Sequence, residues 1–264
     1  MAERKADVTI VSIDLSFHRA ATGVIRAVLE KHGLTVFELR APHKEAFALL
    51  QDGSADILCS AWLPGSHGVY FDEFSDQLEK LTVLYTPYAL WGVPSYVPDT
   101  QVSSIHDLTK PEVSQKMRKT IQGIGPGAGI SRFSREILDK YGLASQGYRF
   151  LNGTLDDCVS AFEDAVQRGE WVVVPLWQPQ FLFASHRIRE LKDPLGLLRG
   201  KDEATLIIRR DRLERVPADA LTELRGITLG NEAATQLDYL VSCKNMTPYA
   251  AGKEFLGGYR PESR

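Results

Sequence analysis

The sequence predicts an α/β protein of two lobes with a cleft between them. Three observations carry this. Apolar runs and helical periodicities alternate as β-α-β-α-β over residues 8–62. A second β-α-β series occupies the middle of the chain, and Pro87, Pro94 and Pro98 punctuate the stretch between the two series.

Each element has a local reason. Val8–Ile13 is a β-branched run and reads as a strand. Ala20, Ala21, Val24, Ile25, Val28 and Leu29 then recur with a period near 3.6, a helix that Gly33 ends. Residues 34–39 read as a strand, residues 46–50 as the start of a helix and residues 55–62 as a buried strand. Residues 81–85 follow, then the proline-marked run 88–97. Beyond it, residues 104–108 start a helix and residues 119–124 form a strand. Next come a glycine turn (123–129), a helix (131–141) capped by Gly142, and a strand (148–151). Residues 155–168 are helical, with Leu155, Val159, Phe162 and Val166 on one stripe. Residues 171–176 and 204–208 read as buried strands, and the chain beyond Pro217 as amphipathic helix. The expected division is a discontinuous first lobe (1–93 and 206–264) enclosing a second lobe (94–205).

Composition excludes several classes. At 44% hydrophobic and 25% charged residues the chain is globular rather than disordered. A formal charge of −3 gives no basic excess for phosphate backbones, so nucleic acid is not an expected partner. No apolar run approaches the ~18–20 residues of a membrane span, so membrane insertion is not expected either. The 3 cysteines, Cys59, Cys158 and Cys243, lack metal-like spacing and suggest no disulfide framework. The N-terminal residues lack the regions of a signal peptide. The expected location is periplasmic or extracytoplasmic if a signal peptide was removed, and cytoplasmic if the native chain starts at Met1.

In open α/β sheets, ligands bind beyond the carboxyl ends of the strands. After the first strand comes Asp14-Leu-Ser-Phe-His18, directly before a helix whose free N–H groups suit a carboxylate. Alternatively Ser16 is a plain N-cap, Phe17 a staple and His18 a surface imidazole. After the third strand comes Trp62-Leu-Pro-Gly-Ser-His67; Trp62 either packs on a ligand or closes the lobe's edge, and His67 is a turn residue or a contact. Gly123-Ile-Gly-Pro-Gly-Ala-Gly129 joins a strand to a helix. It fits a degenerate dinucleotide fingerprint, a carboxylate-holding helix start at Gly127, Ala128 and Gly129, or a tight turn needing φ > 0. Pro175-Leu-Trp-Gln-Pro179 places Trp177 in a setting like that of Trp62. Two indoles facing one cavity would suit a quaternary ammonium, which donates no hydrogen bond and is drawn to each ring by ~0.5–2 kcal/mol. The 6 histidines show no metal-ligating spacing, and no nucleophile elbow occurs. No catalytic residue, metal site or cofactor is therefore expected.

The block Ala55-Asp-Ile-Leu-Cys-Ser-Ala-Trp-Leu-Pro-Gly-Ser-His67 resembles one found in the glycine betaine, choline and proline betaine substrate-binding proteins of ABC importers. Val93-Pro-Ser-Tyr-Val97, Ser104-Ile-His-Asp-Leu108, Gly123–Gly129, Trp177-Gln-Pro-Gln-Phe181, Leu191-Lys-Asp-Pro194 and Ala250-Ala-Gly-Lys-Glu-Phe-Leu256 resemble further blocks of that family, in order along the chain. The resemblance implies a periplasmic-binding-protein-like fold of the Venus flytrap type, with an aromatic cage in the cleft. It implies a small zwitterionic or quaternary-ammonium ligand, an ABC transporter permease as partner, a monomer, and no enzymatic activity. Trp62 and Trp177 match two cage aromatics. Leu15 stands where choline-type members carry a tryptophan, with Phe17 and His18 as neighbouring candidates. Ala89 stands where a cage tyrosine falls, flanked by Tyr88 and Trp91, and Ala128 where some members carry a polar contact. The expected ligand-binding set is Ser16, Phe17, His18, Trp62, His67, Tyr88, Trp91, Gly127, Ala128, Gly129 and Trp177. A less methylated zwitterion or an amino acid is the alternative ligand. A cytosolic sensor of the same fold and a dinucleotide-dependent enzyme are the alternative functions.

Overall fold

The computed structural model describes residues 6–258; the N-terminal reading at residues 1–5 lies outside them. In chain order the first elements are β1 (Val8–Ile13), α1 (Ser16–Lys31), β2 (Val36–Ala41), α2 (His43–Gln51), β3 (Ile57–Leu63), α3 (Gly68–Phe71) and β4 (Leu78–Tyr85). There follow β5 (Tyr88–Pro94), α4 (Pro111–Ser114), β6 (Thr120–Gln122), α5 (Gly129–Lys140), β7 (Arg149–Leu151), α6 (Leu155–Gln167), β8 (Val174–Gln178), α7 (Leu182–Ser185) and β9 (Ile188–Glu190). The chain closes with β10 (Glu203–Arg209), α8 (Ala218–Gly226), α9 (Gly230–Cys243) and α10 (Pro248–Leu256).

Two compact units result among the described residues: one of residues 6–87, 179–181 and 202–258, the other of residues 88–178 and 182–201. The first crossing falls at 87/88, upstream of the 93/94 expected from the prolines, because all of β5 pairs with β8 and β9. The return falls at 201/202 rather than 205/206, because β10 pairs with β3 from Glu203 and with β4 from Ala204.

The first unit is built on a five-stranded sheet in the order β2-β1-β3-β10-β4. β1 is parallel to β2 and β3, and β10 is antiparallel to both its neighbours. The expected largely parallel sheet therefore holds one reversed strand. Its cause is where β10 enters: Ala204 lies beside Trp62, at the carboxyl end of β3, so the strand must run back. β3 is buried throughout, as a strand covered on both faces should be. On one face Val11, Ile13, Leu58, Ala61 and Leu63 join Ala46, Phe47 and Leu50 of α2 in one apolar cluster. α1 crosses α10 with backbones almost touching: a Cβ on Gly23 would lie 1.9 Å from the Pro248 carbonyl oxygen. Gly33 ends α1 with φ +83°, the left-handed turn its position calls for.

The second unit departs further from expectation. It holds a three-stranded sheet β8-β5-β9 and a separate parallel pair β6-β7. Residues 171–176 do not form one strand: Trp171 makes a lone bridge to Met117, and the ladder to β5 starts at Val174. β8 is an edge strand, where Pro175, lacking an N–H, is tolerated. On α6 the buried residues are Cys158, Phe162 and Ala165, so Phe162 is the one member of the expected stripe at its centre. Leu155, Val159 and Val166 flank it, half-buried.

Candidate functional site

β1 leads through α1 to β2 on one side of the sheet, while β3 lies on the other side of β1. The carboxyl ends of β1 and β3 thus form a topological switch point, where chain leaving the two strands opens a crevice. Two segments meet there: the start of α1, and the turn that carries His67.

α1 starts without a side-chain cap. Its N-cap is Leu15, not Ser16, which is the first helical residue and half-buried. The first intrahelical bond is from Arg19 N–H to the Leu15 carbonyl, so Ser16, Phe17 and His18 present backbone N–H groups ahead of the ladder. Phe17 and His18 are 3% and 1% exposed, which excludes the surface imidazole.

The turn after β3 is held from two sides. His67 N–H donates to the Trp62 carbonyl at 2.8 Å. Trp62 N–H donates to His67 Nδ1 at 2.9 Å. The Asp202 carboxylate accepts the N–H groups of Gly65 at 2.6 Å and Ser66 at 3.0 Å. His67 is therefore a turn-locking residue whose ring also enters the aromatic group. Ring centroids lie 5.1 Å apart for Phe17 and Trp62, 5.5 Å for His18 and Trp62, 5.9 Å for His18 and His67, and 6.1 Å for Trp62 and His67. His43 and Phe47 of α2 pack edge-on against His67.

Two residues of this site, Tyr85 and Ser60, are not in the expected set. The Tyr85 hydroxyl accepts the Trp62 indole N–H at 3.2 Å and lies 3.1 Å from Ser60 Oγ. Burial pushes the Tyr85 phenol well up, so it stays protonated. Burial, followed by the nearby His43, holds the His18 imidazolium well below its usual range. His18 is thus an uncharged ring at neutral pH in an apolar, aromatic wall, with helix N–H groups beside it. Such a wall suits a cation without donors joined to a carboxylate.

Beneath α1, the buried Asp238 of α9 accepts the Phe181 N–H at 2.8 Å and the Ser242 hydroxyl at 3.2 Å. Burial pushes its carboxyl up to about 6, while the Ser16 hydroxyl, Phe181 and Ser242 hold it down.

In the second unit, Trp177 pairs across the ladder with Ala89 and is 2% exposed. Trp91 is fully buried and donates its indole N–H to Ser134 Oγ at 2.9 Å, a core role. Tyr88 donates its hydroxyl to Glu190 at 2.8 Å. At the glycine turn, Ala128 is the N-cap of α5 and again offers no side-chain cap. Arg132 donates to the Gly127 carbonyl and Arg135 to that of Pro126, which pins the turn. The expected φ > 0 is absent at Gly123 and Gly125; Gly123 is required because a Cβ there would lie 2.2 Å from the Phe150 ring. Further along, Asp157 closes a capping box with Thr154 at the start of α6. The Cys59 and Cys158 thiols are buried and pushed up to about 12, which makes poor nucleophiles. Among the described residues no cluster is suited to a metal ion, and no helix is long and apolar enough to cross a membrane.

Two α/β units, with aromatic rings gathered at the strand ends of the first, are the architecture of the solute-binding class of proteins. Residues 6–258 match the family described as the substrate binding domain of the ABC-type glycine betaine transport system, and the chain belongs to that family. Among solved structures, lactococcal OpuAC, closed and complexed with glycine betaine, is 23% identical with a TM-score of 0.82 over 95% of each chain. The glycine/betaine/L-proline-binding protein ProX of Borrelia burgdorferi is 25% identical, with a TM-score of 0.83 over 95% of this chain and 92% of that one. An ABC-transporter choline binding protein in complex with choline is 14% identical, with a TM-score of 0.80 over 95% of this chain and 88% of that one. The glycine betaine/carnitine transport binding protein GbuC of Listeria monocytogenes is 23% identical over 109 residues, 41% of this chain and 36% of that protein. The match to GbuC therefore spans little more than a third of that relative's length.

Proposed function

We propose that this protein binds a small zwitterion of the betaine type, without catalysis, and hands it to an ABC importer permease as an extracytoplasmic monomer. The observation that carries the reading is the first unit's switch point, where Trp62 stands beside the uncapped start of α1. Trp62 and Phe17 take the trimethylammonium, whose charge is drawn to aromatic faces. The N–H groups of Ser16, Phe17 and His18 take the carboxylate, which the positive end of the helix favours. His67 holds Trp62 in place through its two backbone contacts. In the second unit, Trp177 is the candidate aromatic contact, and the start of α5 at Gly127, Ala128 and Gly129 the candidate polar one. The names of the solved relatives, which bind glycine betaine or choline, support this ligand class.

Isothermal titration against glycine betaine, choline, carnitine and proline tests the reading. Saturable binding of at least one trimethylammonium compound, weakened in Trp62→Ala and in Trp177→Ala, is expected. Binding of none of them would overturn it, as would wild-type affinity in Trp62→Ala.

A further inference from the structure

A hydrogen-bond chain with a single direction runs inside the first unit from Trp62 to His18. The Trp62 indole N–H donates to the Tyr85 hydroxyl at 3.2 Å. The Tyr85 and Ser60 hydroxyls lie 3.1 Å apart. Ser60 Oγ lies 3.3 Å from His18 Nδ1, and Ser60 N–H donates to the same nitrogen at 3.5 Å. An indole N–H and a backbone N–H only donate. The Ser60 N–H fixes the His18 end, and the direction of the chain follows from that end. Tyr85 accepts from Trp62 and donates to Ser60, and Ser60 donates to His18. With Nδ1 an acceptor, the neutral imidazole carries its proton on Nε2.

The chain is closed to water: Ser60 is fully buried and His18 1%, Tyr85 2% and Trp62 6% exposed. The titratable groups against the His18 ring come from three elements: His43 of α2, His67 of the turn after β3, and Tyr85 of β4, reached through Ser60; a fourth element, α9, brings Asp238 to Ser16 on the same helix turn. His43 and His67 are bases and the Tyr85 phenol stays protonated, so none of the three offers His18 a negative charge. A neutral donor matters for a zwitterion. It can bond the carboxylate without setting a second positive charge beside the ligand's own cation, which would repel it.

We infer that His18 is the residue that separates zwitterions from plain quaternary-ammonium alcohols, as a neutral Nε2–H donor to the ligand carboxylate whose tautomer is set by the Ser60 N–H and hydroxyl on its Nδ1. This rests on the betaine-type reading above and names a determinant within it. A carboxylate gains a charge-assisted bond from Nε2–H, whereas a choline-type hydroxyl gains only a neutral one, about half as strong.

Nitrogen NMR of histidine-labelled, ligand-free protein reads the tautomer directly. His18 is expected as the Nε2–H form throughout pH 5.5–8, without titrating. Titration against glycine betaine and choline reads the role. His18→Phe keeps a ring of similar volume, and is expected to weaken glycine betaine about 10- to 100-fold and choline less than about 10-fold. Ser60→Ala leaves the imidazole in place, and is expected to weaken glycine betaine several-fold with choline unchanged. An Nδ1–H or protonated His18 in the wild type overturns the inference, as does an equal loss for both ligands in both variants. If the wild type binds neither ligand, the functional reading fails and takes the carboxylate role with it. Binding that is indifferent to His18 and Ser60 overturns the inference alone.

Discussion

Trp62 and Tyr85 hydrogen-bond to each other across an intervening strand. Ala204 of β10 pairs with Trp62 of β3 on one side and Tyr85 of β4 on the other, so the three residues stand side by side across the sheet. Ala204 is fully buried, and its small side chain lets the indole N–H reach the phenol at 3.2 Å. The orientation of the main candidate aromatic is thus set by sheet register.

Tyr85→Phe removes the acceptor and leaves the indole N–H buried without it. The expected cost is about 1–3 kcal/mol in folding stability, read from urea unfolding. The Trp62 indole proton should shift in the NMR spectrum, and glycine betaine binding should weaken. An unshifted indole resonance would contradict the register argument.

Ala204→Leu tests the same geometry from the other side. The added carbons occupy the space in which Trp62 and Tyr85 meet. A loss of about 1–3 kcal/mol is expected from overpacking, with binding lost out of proportion to stability. Ala204→Ser, close in size, should bind as the wild type does.

Asp202 brackets the turn that follows Trp62 by accepting two backbone N–H groups. Asp202→Ala is expected to destabilise the protein by about 2–5 kcal/mol, since both bonds are to a buried carboxylate. Hydrogen exchange at Gly65 and Ser66 should speed up in the variant; unchanged exchange would exclude the bracket.

Asp238 gives stability a pH dependence of definite sign. Its carboxyl sits at about 6 when folded, against ~3.9 in an unfolded chain. The folded state therefore binds more protons between those values, and stability falls as pH rises from about 4 to about 6. The fall attributable to this group is about 3 kcal/mol. Asp238→Asn keeps an acceptor for the Phe181 N–H and should flatten that segment of the curve. An equally steep curve in Asp238→Asn would refute the assignment.

The first unit was the more legible in sequence. β1 is a largely β-branched run and β3 a strand buried throughout, and Gly33 marks the end of α1 by a conformation that other residues avoid. Trp62, Phe17 and His18 were legible as site candidates because they lie at or just beyond the carboxyl ends of strands. Tyr85, Ser60 and Asp202 were not. Their roles depend on the register of β10 between β3 and β4, and the Gly65–Asp202 bond joins residues 137 positions apart. In the second unit β6, β7 and β9 have 3 residues each, too few to carry a periodicity, so the division into two sheets left no local trace. The capping role of Leu15 also left none, because a helix that starts without a side-chain cap lacks the usual start signal.

The central claim is that aromatic faces select the ligand's positive charge. The direct measurement compares glycine betaine with 3,3-dimethylbutanoate, the same shape with carbon in place of the charged nitrogen, by titration at one pH and salt concentration. Selection by aromatic faces predicts that glycine betaine binds at least about 10-fold more tightly, from ~0.5–2 kcal/mol at each ring. It also predicts that Trp62→Leu removes most of that preference. Equal affinity for the two compounds, or a preference untouched in Trp62→Leu, would contradict it.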